Sequence, residues 1–313
     1  MAARLNDGLR RKVIIDTDVG IDDAQAILLM LMDPSVDVIG VTCVGGNATL
    51  ENVCLNVLKV LTVAGRLDIP VFRGCKAAII GNIKYGIEYH GADGLGDCDP
   101  AVLSLPVDPT IIQPEHATSA LIRLAKQYPG EVSVICLGPL TNLAIAIKID
   151  PDYTQLLKAV YIMGGNHAGE VVLVGWEVSS SPLSRFDPEW EREYFNQTTP
   201  QGLFTTRIHE KARARAQANE ANESGGIVMC DEWVAALFLD PAVCLESKVW
   251  PTTVELSGKL TRGQCVVDKR FYCNKAQGKS NVRHVLRLDV ERMKVLLMAM
   301  VQAPFFPTAP TKT

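Results

Sequence analysis

Short apolar runs that end in a glycine or acidic turn recur along the chain. The clearest four are residues 13–20 (VIIDTDVG), 36–47 (VDVIGVTCVGGN), 132–140 (VSVICLGPL) and 159–166 (AVYIMGGN). Runs that are this continuously apolar are typical of strands buried on both faces, as in a parallel sheet covered by helices.

Helical patterns alternate with these runs. One apolar face is formed by Leu50, Val53, Cys54, Val57, Leu58 and Leu61, which follow the spacing of an amphipathic helix. Residues 24–32, 117–125 and 288–301 show shorter or similar patterns. The alternation predicts an α/β fold, a doubly wound and mostly parallel sheet with helices on both faces. The strand-end turns should then converge on one cleft.

The segment 171–226 breaks this pattern. It has little apolar periodicity, and residues 207–224 (RIHEKARARAQANEANES) are almost entirely polar or alanine. A helix of this composition offers no evident buried face. We therefore expect a single domain over residues 12–302 that carries an exposed or poorly ordered insert at 171–226, with tails at 1–11 and 303–313.

Composition excludes several classes of protein. The 31 basic and 35 acidic side chains give a net charge of −4, which argues against a nucleic-acid partner. No apolar run is long enough to span a membrane, and the basic residues near the start precede no apolar signal region. The nine cysteines show no CxxC spacing. Free thiols and a cytoplasmic location are the simplest interpretation.

Four acidic residues crowd the first strand end, namely Asp16, Asp18, Asp22 and Asp23. Carboxylates this close repel one another unless a cation lies among them. Oxygen ligands without nearby cysteine or histidine select a hard cation, Ca²⁺ or Mg²⁺. The alternative is that Asp22 and Asp23 only complement a helix N-terminus, which would account for two of the four.

Two families share parts of this string. The segment 16–19 (DTDV) resembles the opening motif of haloacid-dehalogenase-like phosphatases, an interpretation that leaves Asp22, Asp23 and Asp231 unused. The longer string DTDVGIDDAQAI (16–27) resembles the signature of the inosine–uridine-preferring nucleoside hydrolases. Further motifs of that family match in order: VGGN (44–47), HGADGLG (90–96), LGPLTN (137–142), MGG (163–165) and TRG (261–263).

The resemblance implies Ca²⁺-dependent hydrolysis of the N-glycosidic bond of ribonucleosides, giving ribose and free base, by a homodimer or homotetramer. It assigns Asp18 as metal ligand and as the base that activates water. The other implied metal ligands are Asp23, the main-chain carbonyl of Leu137, and Asp231. Asp22 and Asn47 would contact the sugar or water.

The remaining site assignments are less specific. His90 and Cys230 are candidate acids for the departing base. Met163 and Asn166, beside the fourth strand end, are further candidate substrate contacts, with a core position as the alternative for Met163 and an ordinary turn position for Asn166.

Two departures from the family pattern matter. Cys230 stands where the family often has histidine, and Ser181 and Leu183 stand where a Glu and an Asn grip the ribose in relatives. We find no match to the family over 171–226. A catalytically impaired protein that binds metal or ribose is therefore the alternative to an active hydrolase, because each lost charged hydrogen bond to a hydroxyl costs about 1.5–3 kcal/mol.

Overall fold

A central sheet of eight strands organises the molecule. The computed structural model describes residues 10–98, 105–164, 171–218, 226–268 and 282–302. The strands are β1 (Arg11–Thr17), β2 (Val36–Cys43), β3 (Val71–Arg73), β4 (Val132–Cys136), β5 (Leu157–Met163), β6 (Val171–Val174), β7 (Cys244–Trp250), β8 (Thr252–Val254), β9 (Cys265–Val267) and β10 (Val282–Leu288). The sheet order is β3-β2-β1-β4-β5-β6-β10-β7, and β8 pairs with β9 separately.

Helices cover both faces of this sheet. They are α1 (Ile21–Met32), α2 (Leu50–Val63), α3 (Ile87–His90), α4 (Ala117–Gln127), α5 (Thr141–Ile149), α6 (Trp176–Ser179), α7 (Pro188–Tyr194), α8 (Pro200–Ala218), α9 (Asp231–Leu239) and α10 (Val290–Gln302). Within the described ranges, no helix has the length and apolar character that crossing a membrane requires.

The apolar runs form strands because both of their faces are buried. Ile15 of β1 packs into one hydrophobic core with α1, α2, α9 and α10. Its neighbour Ile14 points into a second core, which contains residues of α4 and α5. In the central sheet every neighbouring pair is parallel except β10 with β7. The predicted α/β fold with a mostly parallel sheet is confirmed.

The segment 171–226 contributes to the core, so the expectation that it lacks a buried face is wrong. Strand β6 lies inside the sheet between β5 and β10, with all four of its residues buried. Helix α8 buries Phe204, Ile208 and Ala212 and packs against α1 and α10. These three residues recur every fourth position, which makes an apolar stripe too narrow to stand out among the surrounding charges.

The connection between β5 and β6 is unusually short. The two strands run parallel, with Val160 opposite Val171 and Met163 opposite Val174. Only residues 164–170 separate them. A parallel pair normally needs a crossover of a dozen or more residues, about the length of a helix with its turns. This connection is therefore shorter than an ordinary helical crossover.

Candidate active site

The carboxyl ends of β1, β2 and β4 meet at one edge of the sheet. Thr17 at the end of β1 lies opposite Cys43 of β2, and Asp16 lies opposite Cys136 of β4. The acidic turn after β1, the glycine turn after β2 and the turn that begins at Leu137 are consequently adjacent. The structure brings these three predicted strand-end turns together.

Asp18 lies between two glycines. Its Oδ2 accepts a hydrogen bond from the backbone N–H of Asn47 at 2.7 Å. A Cβ atom at Gly138 would lie 2.6 Å from Asp18 Oδ1, and one at Gly46 would overlap Oδ2. The buried Oδ1 has no hydrogen-bond partner. Glycine at these two positions thus allows the backbone of both turns to approach this carboxylate closely.

Asp23 is held by donors from three directions. Its Oδ1 accepts from the hydroxyl of Thr17 at 2.5 Å. Its Oδ2 accepts from the backbone N–H of Gly20 at 2.8 Å and from Nδ2 of Asn47 at 2.9 Å. Asn47 therefore binds Asp18 through its main chain and Asp23 through its side chain. This double contact fixes the two carboxylates relative to each other.

Carboxylates from two helices converge beside this pair. Oxygens of Asp22 and Asp23, in the first turn of α1, and of Asp231, the first residue of α9, all lie within 4.8 Å of one another. Asp22 Oδ1 is buried without a hydrogen-bond partner. Converging carboxylate oxygens, at least one of them without a donor, suit a hard divalent cation. This grouping includes Asp22, which the resemblance assigns to substrate.

The electrostatics of the cluster favour a bound cation. Burial, reinforced by the charge of Asp23, raises the pKa of Asp18 well above its ordinary range. Burial and then the charge of Asp23 do the same to the pKa of Asp231. Among the described residues no lysine or arginine pairs with these groups, and the nearest ion-pair partner is His90, with Nδ1 3.8 Å from Asp22 Oδ1. A divalent ion would offset this repulsion.

His90 and Cys230, the two candidate acids, both lie close to Asp22. His90 Nδ1 accepts a hydrogen bond from the backbone N–H of Ile21 at 3.1 Å, so the neutral ring carries its proton on Nε2. Cys230 is buried immediately before α9, and burial with the charge of Asp22 raises its thiol pKa above the ordinary value. A thiol in that environment stays neutral and is a weak proton donor.

Asn142 holds the side chain of Asp16 at the end of β1, a role that the sequence analysis did not predict. Its Nδ2 donates to Asp16 Oδ1 at 2.8 Å, and Thr42 donates to the same oxygen at 2.6 Å. Burial nevertheless raises the pKa of Asp16 to about 6, against the effect of these two bonds. The available signal was the position of Asn142 in the LGPLTN turn, whose importance we attributed only to Leu137.

The other predicted residues lie in varied places. Leu137 directly follows β4, and its backbone N–H donates to the carbonyl of Asp16 at 2.8 Å. Met163 ends β5 and packs against the core, while Asn166 lies outside the described residues. Ser181 caps its own turn by accepting from the N–H of Leu183, and Leu183 is 76% exposed.

A protein-family model matches most of the chain. The model described as inosine-uridine preferring nucleoside hydrolase matches residues 13–171 and 167–295. The chain therefore belongs to the inosine-uridine preferring nucleoside hydrolase family. The second match includes residues 171–226, so the expectation that this segment lies outside the family pattern is wrong.

Individual relatives differ in how much of the chain they match. The inosine-uridine preferring nucleoside hydrolase of Leishmania major is 30% identical over 294 residues, which cover 83% of this chain and 88% of that protein. The probable uridine nucleosidase 2 of Arabidopsis thaliana is 43% identical over 164 residues, 51% of this chain and 49% of the relative. The chain thus spans about half the length of that plant protein.

Solved structures share the whole fold. A plant nucleoside hydrolase superimposes with a TM-score of 0.83 at 26% identity, covering 94% of this chain and 99% of that one. An inosine-guanosine nucleoside hydrolase gives a TM-score of 0.81 at 25% identity, with the same two coverages.

Proposed function

We propose that the chain hydrolyses the N-glycosidic bond of ribonucleosides in a Ca²⁺-dependent reaction that releases ribose and free base. The observation that carries this proposal is the convergence of Asp22, Asp23 and Asp231 beside Asp18, which Asn47 links to Asp23, with buried oxygens of Asp18 and Asp22 left without donors. Family membership supports the same reaction.

The residues present fit a calcium ion. Asp18, Asp23, Asp231 and the carbonyl of Leu137 would hold it, and the Asp22 carboxylate converges with those of Asp23 and Asp231. Bound Ca²⁺ supplies positive charge that makes a neighbouring water more acidic and offsets the repulsion among these carboxylates.

Asp18 is the proposed general base. The Asn47 N–H holds its Oδ2, which leaves the unpartnered Oδ1 to accept a proton from the attacking water. Asp22 would accept a hydrogen bond from a ribose hydroxyl, and Asn47 would contact the sugar or the water. The fixed geometry of these groups supports catalysis because little reorganisation is needed when the reaction begins.

His90 is the better candidate for protonating the departing base. The acid would be its protonated ring, which pairs with Asp22, whose Oδ1 lies 3.8 Å from Nδ1; giving up the Nε2 proton to the base returns the ring to the neutral form in which Nδ1 accepts from the N–H of Ile21. Cys230 is the weaker candidate because its surroundings raise the pKa of the thiol. Met163 and Asn166 remain proposed substrate contacts.

The test is release of free base from a panel of ribonucleosides, measured with and without Ca²⁺. We expect turnover that chelation abolishes, and a loss of at least about 10³-fold in Asp18→Asn, since a base within a positioned site contributes on this order. Asp68→Asn is the matched control, because Asp68 is a surface residue paired with Arg66. Metal-free protein with undiminished turnover would contradict the calcium assignment.

A catalytically impaired binding protein is the second candidate function. One observation favours it: the hydroxyl of Ser181, which stands where the family pattern has a ribose-binding Glu, accepts a hydrogen bond within its own turn. This alternative predicts Ca²⁺ binding, detectable by calorimetry, without base release above the level of Asp18→Asn. Turnover clearly above that level rejects it.

Assembly and location remain predictions. The homodimer or homotetramer is supported by family resemblance, and the cytoplasmic location by the free cysteines, such as the buried Cys43 and Cys54. Light scattering tests assembly, and a 34.1 kDa particle, the mass of a single chain, would contradict it.

A further inference from the structure

Four buried side chains form a hydrogen-bonded network directly behind the carboxylate cluster. Gln25 of α1 donates from Nε2 to Glu232 Oε1 of α9 at 2.7 Å. The same Nε2 lies 2.8 Å from Nε2 of His209 on α8. The hydroxyl of Tyr194, at the end of α7, donates to Gln25 Oε1. All four side chains are essentially inaccessible to solvent.

The network fixes the orientation of the Gln25 amide. The Glu232 carboxylate needs an N–H donor, so the amide oxygen faces Tyr194, whose hydroxyl donates to it. The two N–H bonds of the amide are then directed to Glu232 and His209. His209 can accept on Nε2 because its Nδ1 contacts the carbonyl of Thr205 at 2.9 Å, where it acts as the donor. Every member thus has a partner of the required type.

Glu232 extends this hydrogen-bonded network to the start of α9, the helix that carries Asp231. Its Oε1 accepts from Gln25, and its Oε2 accepts from the backbone N–H of Cys230 at 3.0 Å. Gln25 follows Asp23 by two residues, and Glu232 directly follows Asp231. The Gln25–Glu232 bond therefore joins the first turns of the two helices that deliver the clustered carboxylates.

We infer that Gln25 is a positioning residue for the metal site, held in place by Tyr194 and His209. The inference rests on the proposed function, because it assumes that the cluster binds Ca²⁺. A hydrogen bond to a carboxylate is stronger than one between neutral groups, and burial excludes competing water. The helices α7 and α8 thereby gain a role: they fix the distance between Asp231 and the carboxylates of α1.

Gln25→Leu tests the inference in the full-length protein. The leucine keeps a side chain of similar size but removes both donors, so the start of α9 loses its link to α1. We expect Ca²⁺ affinity, measured by isothermal titration calorimetry, to fall 10- to 100-fold, as is usual when a group that orients metal ligands is lost. Tyr194→Phe, which frees the amide without removing it, should cause a smaller loss.

Leu28→Ala separates positioning from general destabilisation. Leu28 lies on the same helix and is fully buried. Its apolar side chain forms none of the hydrogen bonds of the network, so its truncation should lower the melting temperature and leave those bonds in place. We expect it to bind Ca²⁺ with wild-type affinity at a temperature where both variants are folded. The inference about Gln25 is overturned if Gln25→Leu binds Ca²⁺ with wild-type affinity, or if Leu28→Ala loses as much affinity as Gln25→Leu. Either result would leave the proposed function untouched.

The same titration distinguishes the inference from the proposed function. If the wild-type protein binds no Ca²⁺, both the proposed metal site and the inference about Gln25 are wrong. Wild-type protein that binds Ca²⁺ without releasing base would contradict the proposed hydrolysis, while a weaker Gln25→Leu would still confirm the positioning role.

Discussion

Asn142 donates a hydrogen bond to Asp16 over 2.8 Å and thereby ties the first turn of α5 to the end of β1. The same Nδ2 also donates to the carbonyl of Cys43 at 2.9 Å, and Oδ1 accepts from the N–H of Cys75 at 2.9 Å. One buried amide thus connects the ends of β1 and β2 with the segment after β3. The strand-end turns that carry the site are consequently held as one unit.

Replacing Asn142 with leucine should destabilise the protein by about 3 kcal/mol, because it leaves several buried polar groups without partners. Urea unfolding measures the change. Asn52→Ala is the control, since the side chain of Asn52 makes one exposed hydrogen bond to the described residues, from Nδ2 to the carbonyl of Ala92. Its effect should stay within about 0.5 kcal/mol, and an equal loss in both variants would contradict the special role of Asn142.

Gly138→Ala should weaken Ca²⁺ binding more than it destabilises the fold. The added methyl would lie 2.6 Å from Asp18 Oδ1, so either the carboxylate or the turn must move. We expect at least a 10-fold loss of Ca²⁺ affinity, as for other changes that displace a metal ligand. Gly175→Ala is the matched control because its methyl would meet only the flexible end of Glu177. Unchanged affinity in Gly138→Ala would show that Asp18 does not depend on this close packing.

Acid should destabilise the protein partly through His209. Burial lowers the pKa of His209 to about 3, whereas the unfolded chain has the ordinary value near 6.5. Between these two pKa values the imidazole is protonated in the unfolded state and neutral in the folded state, so the free energy of unfolding decreases as the pH falls below 6.5. Above pH 6.5 the imidazole is neutral in both states and causes no pH dependence. The expected slope is about 1.4 kcal/mol per pH unit. In urea unfolding at several pH values, His209→Gln should show a shallower slope than wild type, and identical slopes would disprove the assignment.

His90→Gln should affect reactions according to their leaving group. A purine or pyrimidine departs more easily when it is protonated, so removing the acid should slow nucleoside hydrolysis about 10²-fold or more. A riboside of p-nitrophenol, which leaves as a stable anion, should be hydrolysed at nearly the wild-type rate. Equal losses with both substrates would indicate that His90 orients the site, through its contact with Ile21, rather than donating a proton.

The sequence predicted those parts of the fold that local patterns determine. Apolar runs located β1, β2, β4 and β5, and their turns indicated where the site would form. Strand β6 was missed because four apolar residues in a polar segment are too short a run to identify. The Gln25–Glu232 bond joins residues 207 positions apart in the chain. Periodicity carries no information on such a pair, so only the packed structure could show it.

Metal-ligand assignments illustrate the same limit. The resemblance named Asp18, Asp23 and Asp231, and the structure places all three at one end of the sheet. Asp22 also faces this cluster, and its exact role depends on side-chain directions that sequence spacing alone does not determine. Asn47 was expected to contact only the sugar or the water, yet it also bonds Asp18 and Asp23.

The short link between β5 and β6 has a consequence for the order of folding. The free-energy cost of closing a loop of about seven residues is roughly 2 kcal/mol lower than that of closing one of about a hundred, because less chain entropy is lost. Strand β6 is separated from β5 by residues 164–170 and from its other neighbour, β10, by residues 175–281. We therefore expect β6 to pair with β5 early and to provide the edge on which the carboxyl-terminal strands assemble late.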